Sequence, residues 1–294
     1  MKNSGKLSRR SFIAGTAYAV GALLSMRKTS TGGEEKRFKK AIILGMLPSK
    51  MPLKDRLKLA KDVGFDGLEI PPMDEKSADE IRAIADDVGI ELHSIIYGGW
   101  HAPLSSADEK IVEAGLKGLE RALHTAKRVG ADAVLLVPGI VNAQTRYIEC
   151  YERTQRNIKR ILPLAEELGI TIAVENVWNN FLLSPIEFAR YVDEFNSERL
   201  RAYFDVGNVV KFGFPEDWIR TLGKRIVKVH LKDFKRDKNA FVMLLEGDVN
   251  WEAVRQALIE VGYKGYLTAE LGSGDEAYLR DVSARMDKII EGSR

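Results

Sequence analysis

What most constrains this chain is a strict alternation that starts near residue 39 and continues to the C-terminus. Short apolar runs rich in Val, Ile, Leu, Tyr and Phe give way to amphipathic stretches with helical spacing, and the exchange repeats eight times. KKAIILGML, FDGLEI, ELHSIIYGG and ADAVLLVPG read as the first four strands, and ITIAVEN, LRAYFDVGN, IVKVHLKD and YLTAELG as the last four. Between them lie helical patterns, several of which end on a glycine placed as a C-cap, such as Gly64 and Gly89. A long helix after the third strand opens with Ser106 and Glu109 at capping-box spacing. Runs this short, hydrophobic throughout and separated by helices, are buried parallel strands. An open doubly wound sheet would show the same alternation. Eight units, with chemistry on four consecutive strand ends, favour closure, so the expected fold is α/β, a single (β/α)8 TIM barrel.

Those four ends carry the chemistry. Each closes on one group able to bind a metal: Glu175, Asp205, His230 and Glu270. In a barrel the C-terminal strand ends share one mouth, where side chains from different strands meet. Three carboxylates and an imidazole suit a divalent cation, Mn²⁺ or Mg²⁺ first and Co²⁺ or Zn²⁺ as alternatives. Taken singly, a strand-end carboxylate is more often a helix cap or ion-pair partner, and a histidine between Val229 and Leu231 more often a hydrogen-bonded core residue. The conjunction on successive strands is what points to a site.

Charge narrows the function further. The formal net charge of +3 is set by Lys2, Lys6, Arg9, Arg10, Arg27 and Lys28, which have no acid among them in residues 1–28. Without those six, 39 basic residues face 42 acidic ones, a net of −3, which leaves no electrostatic footprint for nucleic acid. Cys150 is the single cysteine, so the chain can form no internal disulfide and no cysteine zinc cluster. Residues 1–28 contain Ser8-Arg9-Arg10-Ser11-Phe12-Ile13 and then a short apolar stretch diluted with Gly, Ala, Thr and Ser. This resembles a twin-arginine export signal, which implies the Tat machinery as a partner and a periplasmic or extracytoplasmic location, with the leader a tether if it stays uncleaved. Residues 29–38 are a polar linker, and 39–294 form the barrel.

VEN, FDVGN, VHLKD and LTAEL, together with GFDGLEI, PLSSAD, GADAVLLVPG and EGDVNW, resemble the xylose isomerase-like barrel superfamily of sugar isomerases and epimerases. The likeness is greatest to pentulose-phosphate 3-epimerases and hexulose-phosphate isomerases. It implies that Glu175, Asp205, His230 and Glu270 are the metal ligands, that Glu175 and Glu270 form an acid/base pair on either face of a sugar, and that the protein is a homo-oligomer. It also places a substrate-binding arginine at Arg236, although KDFKRDK is equally a solvated charged loop. Some family epimerases carry a histidine where this chain has Asn208, and the phosphate-using relatives share DVGN.

Other residues near the expected mouth are candidates of weaker standing. Glu69 either contacts substrate hydroxyls or caps the next helix. Trp100 and Trp178 offer flat faces to a sugar ring, with His101 beside the first, and Lys232 and Asp233 are expected to support the imidazole of His230. The chemistry that emerges is proton transfer beside a ketose carbonyl through an enediolate, as in an isomerase or epimerase. A metal-dependent lyase that ejects the aglycone of a 3-keto-glycoside uses the same parts. A sugar-binding barrel without catalysis is the non-enzymatic alternative. An endonuclease on the same barrel would need many more histidines than the four present. The phosphosugar resemblance and the export signal are reconciled by a free sugar or glycoside as substrate.

Overall fold

The computed structural model describes residues 37–292, so the twin-arginine segment and all but the end of the expected linker lie outside the described residues. Eight parallel strands close into a barrel in the order β1-β10-β7-β6-β5-β4-β3-β2. These are β1 (Phe38–Ile43), β2 (Gly67–Ile70), β3 (Glu91–Gly98), β4 (Ala133–Leu136), β5 (Thr171–Glu175), β6 (Leu200–Asp205), β7 (Ile226–Leu231) and β10 (Gly265–Ala269). Pairing of β1 with β10, from Phe38 on Gly265 to Ile42 on Ala269, closes the ring and removes the open-sheet alternative. The first strand thus begins one residue earlier than expected.

The outer layer is α1 (Leu53–Asp62), α2 (Glu75–Val88), α3 (Glu109–Val129), α4 (Tyr147–Leu168), α5 (Pro185–Asp193), α7 (Pro215–Leu222), α8 (Trp251–Glu260) and α9 (Glu276–Glu291). Local signals set their limits. Ser184 caps α5 by accepting from the Glu187 N–H with Pro185 at the first position, and α2 ends on Gly89 at φ 73°. The long helix α3 corrects one expectation. Asp108, not Ser106, is its cap and accepts from the Lys110 N–H, while Ser106, two residues too early, accepts through Oγ from the Asp108 N–H. Two elements have no counterpart in the sequence reading: the five-residue α6 (Val206–Val210), and an antiparallel hairpin of β8 (Asp233–Lys235) and β9 (Ala240–Val242). Among the described residues no helix is long and apolar enough to cross a membrane.

Period-two alternation sorts the barrel strands into an outward and an inward set, broken on β3, where the register slips against β2 and His93 and Ser94 both turn inward. Outward residues such as Leu68, Val174, Phe204, Val229, Leu231 and Leu267 join the main core under the helices. The inward positions hold Glu69 on β2, Ser94 on β3, Glu175 on β5, Tyr203 and Asp205 on β6, His230 on β7 and Thr268 on β10, all buried. A small group of Leu135, Val137, Ala173 and Tyr203 forms an apolar cluster separate from that core. The polar interior is therefore a consequence of strand phase, and it lies at the end of the barrel where the candidate ligands sit.

Candidate metal centre

The four expected ligands converge. Glu175 ends β5, Asp205 ends β6, His230 lies in β7, and Glu270 follows β10, which are four consecutive strands of the closed barrel. Register aligns Asp205 with His230 and His230 with Thr268, while the Glu270 N–H donates to the Leu231 carbonyl at 3.2 Å. One ligand atom from each residue lies within 4.8 Å of all the others. Nδ1 of His230 is 3.0 Å from Glu175 Oε1, 3.0 Å from Glu270 Oε2 and 3.9 Å from Asp205 Oδ2.

Each carboxylate is aimed by its backbone setting. Asp205 is the N-cap of α6: its Oδ1 accepts from the Asn208 N–H at 2.7 Å, which turns Oδ2 toward the cluster. Asn176, which the sequence reading passed over inside VEN, ties β5 to β6. Its amide donates to the Asp205 carbonyl at 2.8 Å, and its Oδ1 accepts from the Asp205 N–H at 2.9 Å. Asn208 Nδ2 in turn donates to the Asn176 carbonyl at 3.0 Å. A side-chain amide pairing with a neighbouring strand's backbone leaves no periodic trace in sequence.

The donor set fits a divalent cation. Asp205 Oδ2 and Glu270 Oε2 are buried acceptors without a well-formed hydrogen bond. They are approached instead by charge, with Lys232 Nζ at 3.2 Å from Asp205 and 2.8 Å from Glu270. Oxygen-rich ligation with one imidazole is the preference of Mn²⁺ and Mg²⁺ more than of copper or nickel.

The electrostatics of the metal-free site divide the carboxylates. Burial raises Glu175 to about 7, helped by the nearby charge of Glu270 and opposed by His230 and Lys232. Burial likewise raises Asp205, against the pull of Lys232. Glu270 goes the other way: burial acts upward, but His230 and Lys232 outweigh it and hold the group well below the usual carboxylate range. His230 would be pushed down by burial, yet Glu69, Glu270 and Glu175 hold it well above the ordinary imidazole value.

The remaining candidates separate. Glu69 neither caps α2, whose cap is Asp74, nor faces the open mouth. It is fully buried, with Oε2 2.9 Å from His230 Nε2 and Oε1 bonded to the Tyr203 hydroxyl. Its phase within β2, inward like Gly67, is the signal that could have placed it. Lys232 and Asp233 do not support the imidazole by bonding it. Lys232 pairs with Asp205 and Glu270. Asp233 accepts from the N–H groups of Phe234, Leu245, Gly247 and Val249 and from Trp251 Nε1, so it organises the hairpin loop. Arg236 is exposed and its guanidinium donates to the carbonyls of Val210 and Gly213. Trp178 donates from Nε1 to the Asn208 carbonyl at 3.0 Å and stacks on Phe241 at 5.0 Å, with Phe212 and Phe234 edge-on. Trp100 is half exposed, and His101 lies edge-on to Tyr97 at 6.3 Å; among the described residues neither bonds to the cluster.

With fold and site in place, the comparison with known proteins decides the family: residues 57–289 match the xylose isomerase-like TIM barrel. The chain belongs to that family. L-ribulose-5-phosphate 3-epimerase UlaE of Escherichia coli O157:H7 (strain EC4115 / EHEC) is 28% identical over 274 residues, covering 85% of this chain and 96% of the relative. Among solved structures, a D-tagatose 3-epimerase-like protein superposes with a TM-score of 0.74 at 19% identity, over 87% of this chain and 100% of that one. The 3-keto-D-glucoside 4-epimerase YcjR from E. coli gives 0.72 at 15% identity, over 87% and 99%. At those identities the two structures bear on the fold.

Proposed function

We propose that this protein is a divalent-metal-dependent sugar epimerase or isomerase that moves a proton on carbon beside a carbonyl, with Glu175 and Glu270 as the proton-handling pair. The observation that carries the reading is that both carboxylates reach Nδ1 of one histidine at 3.0 Å from the two ends of an arc of four strands. Two carboxylates so placed can serve one bound substrate. The relatives support it. Each name given above describes an epimerase, and inversion at carbon 3 of a 2-ketose or at carbon 4 of a 3-keto sugar is inversion next to a carbonyl.

Glu175, Asp205, His230 through Nδ1 and Glu270 would hold the ion. When bound, it supplies positive charge where the carbonyl oxygen turns negative. The chain's own groups do the rest. Glu270, kept ionised by His230 and Lys232, takes the proton from carbon. Glu175, on the other side of the site, returns a proton drawn from solvent to the opposite face for epimerisation or to the neighbouring carbon for isomerisation. Lys232, charged and close to both Asp205 and Glu270, adds a fixed positive field at the same spot.

The substrate in this proposal is a free sugar or glycoside met outside the cytoplasm, after export by the twin-arginine route. Two cations close to the site support it, because Lys232 and Arg236 are committed to protein carboxylates and carbonyls. The test is to incubate the full chain and Mn²⁺ with free ketoses, ketose phosphates and 3-keto-glycosides and to separate the products chromatographically. The reading expects a chelator-sensitive epimer pair from a free sugar. Turnover of phosphates alone would overturn the free-sugar assignment. Aglycone release would make the protein a lyase. Metal binding without any turnover would leave a sugar-binding barrel.

A further inference from the structure

An imidazole can present either nitrogen to a cation, and rotation of the ring by half a turn exchanges each nitrogen for a carbon. Something must therefore choose which atom of His230 faces Glu175, Asp205 and Glu270. We propose that Glu69, locked by Tyr203, is the positioning residue that fixes His230 with Nδ1 toward the cation site.

The geometry is complete on the protein side. Glu69 is fully buried on β2, across the barrel interior from His230 on β7. Its Oε2 lies 2.9 Å from Nε2 of His230 and accepts that N–H. Its Oε1 accepts from the Tyr203 hydroxyl, whose oxygen lies 3.3 Å from Ser94 Oγ. The Tyr203 ring also packs against the imidazole, at 4.6 Å between centroids and 55° between planes. Both oxygens of the carboxylate are thus engaged, and neither can swing away without abandoning a buried donor. If the ring of His230 flipped, Glu69 would face a C–H, and a buried carboxylate would lose its charge-assisted hydrogen bond. Its other close neighbour, His93 Nε2 at 3.5 Å, is too distant to replace that bond. A carboxylate on the far nitrogen of a ligating histidine fixes the tautomer and raises the basicity of the near nitrogen, and loss of such a partner costs about 10–100-fold in metal affinity. The inference rests on the reading of the four residues as a cation site.

The experiment compares the full chain with E69Q and Y203F, both close in shape to the native residue. Mn²⁺ affinity is measured without substrate, by electron paramagnetic resonance of the free ion. In parallel, the metal-free proteins, labelled with ¹⁵N-histidine, are observed for the ring N–H proton of His230. The native chain shows that proton at low field, as expected for a short bond to a carboxylate. E69Q weakens Mn²⁺ binding about 10–100-fold and moves the resonance upfield. Y203F leaves the Glu69 bond in place and weakens binding by less, with the resonance kept at low field. Wild-type affinity together with an unmoved resonance in E69Q would overturn the proposal. Should E69Q fail to fold, Y203F decides the lock: native affinity there would remove Tyr203 from it. A native chain that binds no Mn²⁺ would instead refute the cation reading. The low-field proton in the metal-free protein would still report whether Glu69 holds the ring.

Discussion

Glu175 and Glu270 bring the same functional group to the same histidine and leave with opposite tendencies. Glu175 is buried and raised to about 7, whereas the charges of His230 and Lys232 hold Glu270 low. Replacing either by glutamine removes the proton-transfer group and keeps the shape, so kcat is expected to fall about 10²–10⁴-fold with the fold intact by circular dichroism. The pH dependence follows from the same residue. An unfolded glutamate loses its proton near 4.3, roughly, whereas folded Glu175 keeps one up to about 7. Between those values the metal-free folded state holds a proton that the unfolded chain has released. The contribution of Glu175 to stability therefore falls as pH rises through that window. Cation binding must expel this proton and the one on Nδ1 of His230. Mn²⁺ affinity should accordingly rise with pH through 7, with proton release seen by calorimetry in buffers of different ionisation enthalpy. An affinity that stays flat between acid and neutral pH would contradict the assignment of these residues as ligands.

Two small elements that shape the mouth depend on single side chains. The loop after β8 is gathered on the Asp233 carboxylate, which accepts four backbone N–H groups and the Trp251 indole N–H. Asn in its place offers one acceptor oxygen, so buried donors go unpaired, and D233N should cost on the order of 2–3 kcal/mol by denaturant melts. Limited proteolysis should then cut within residues 236–248 first. Gly207 is the other point. A Cβ there would stand 2.5 Å from Lys232 Cβ, so α6 can lie against Lys232 only without a side chain. G207A should lose about 1–3 kcal/mol and weaken Mn²⁺ binding, because α6 begins at Asp205. Neither element was legible beforehand. VGNVV is too short to show a helical period, and FKRDKNAFV has the composition of a solvated loop although Phe234 within it is buried.

At the scale of the molecule, the sequence announces the barrel because each strand must be apolar on the face under its helix, and that face is visible as Leu68, Val174, Phe204, Val229 and Leu267. The inward face is where function departs from pattern, and there the four ligands were legible only because they stand at strand ends. Glu69 stood out as a substrate contact or helix cap, but its bond across the barrel to His230 did not, and Asn176, whose work is on backbone groups, left no signal at all. Closure was inferred from the count of units and is carried by the pairing of β1 with β10. A barrel whose mouth holds a cation should also gain stability from it: at 100 times the dissociation constant Mn²⁺ adds about 2.7 kcal/mol, or roughly 5–10 °C in Tm for a domain of this size. The central claim, proton transfer beside a carbonyl by the two glutamates at this site, is tested most directly by solvent exchange. The full chain with Mn²⁺ in D₂O should place deuterium on the carbon next to the carbonyl of its sugar. The exchange should vanish with chelator and with Glu270→Gln. A sugar that is turned over with no solvent deuterium in the product, or exchange that persists at the native rate in the variant, would contradict it.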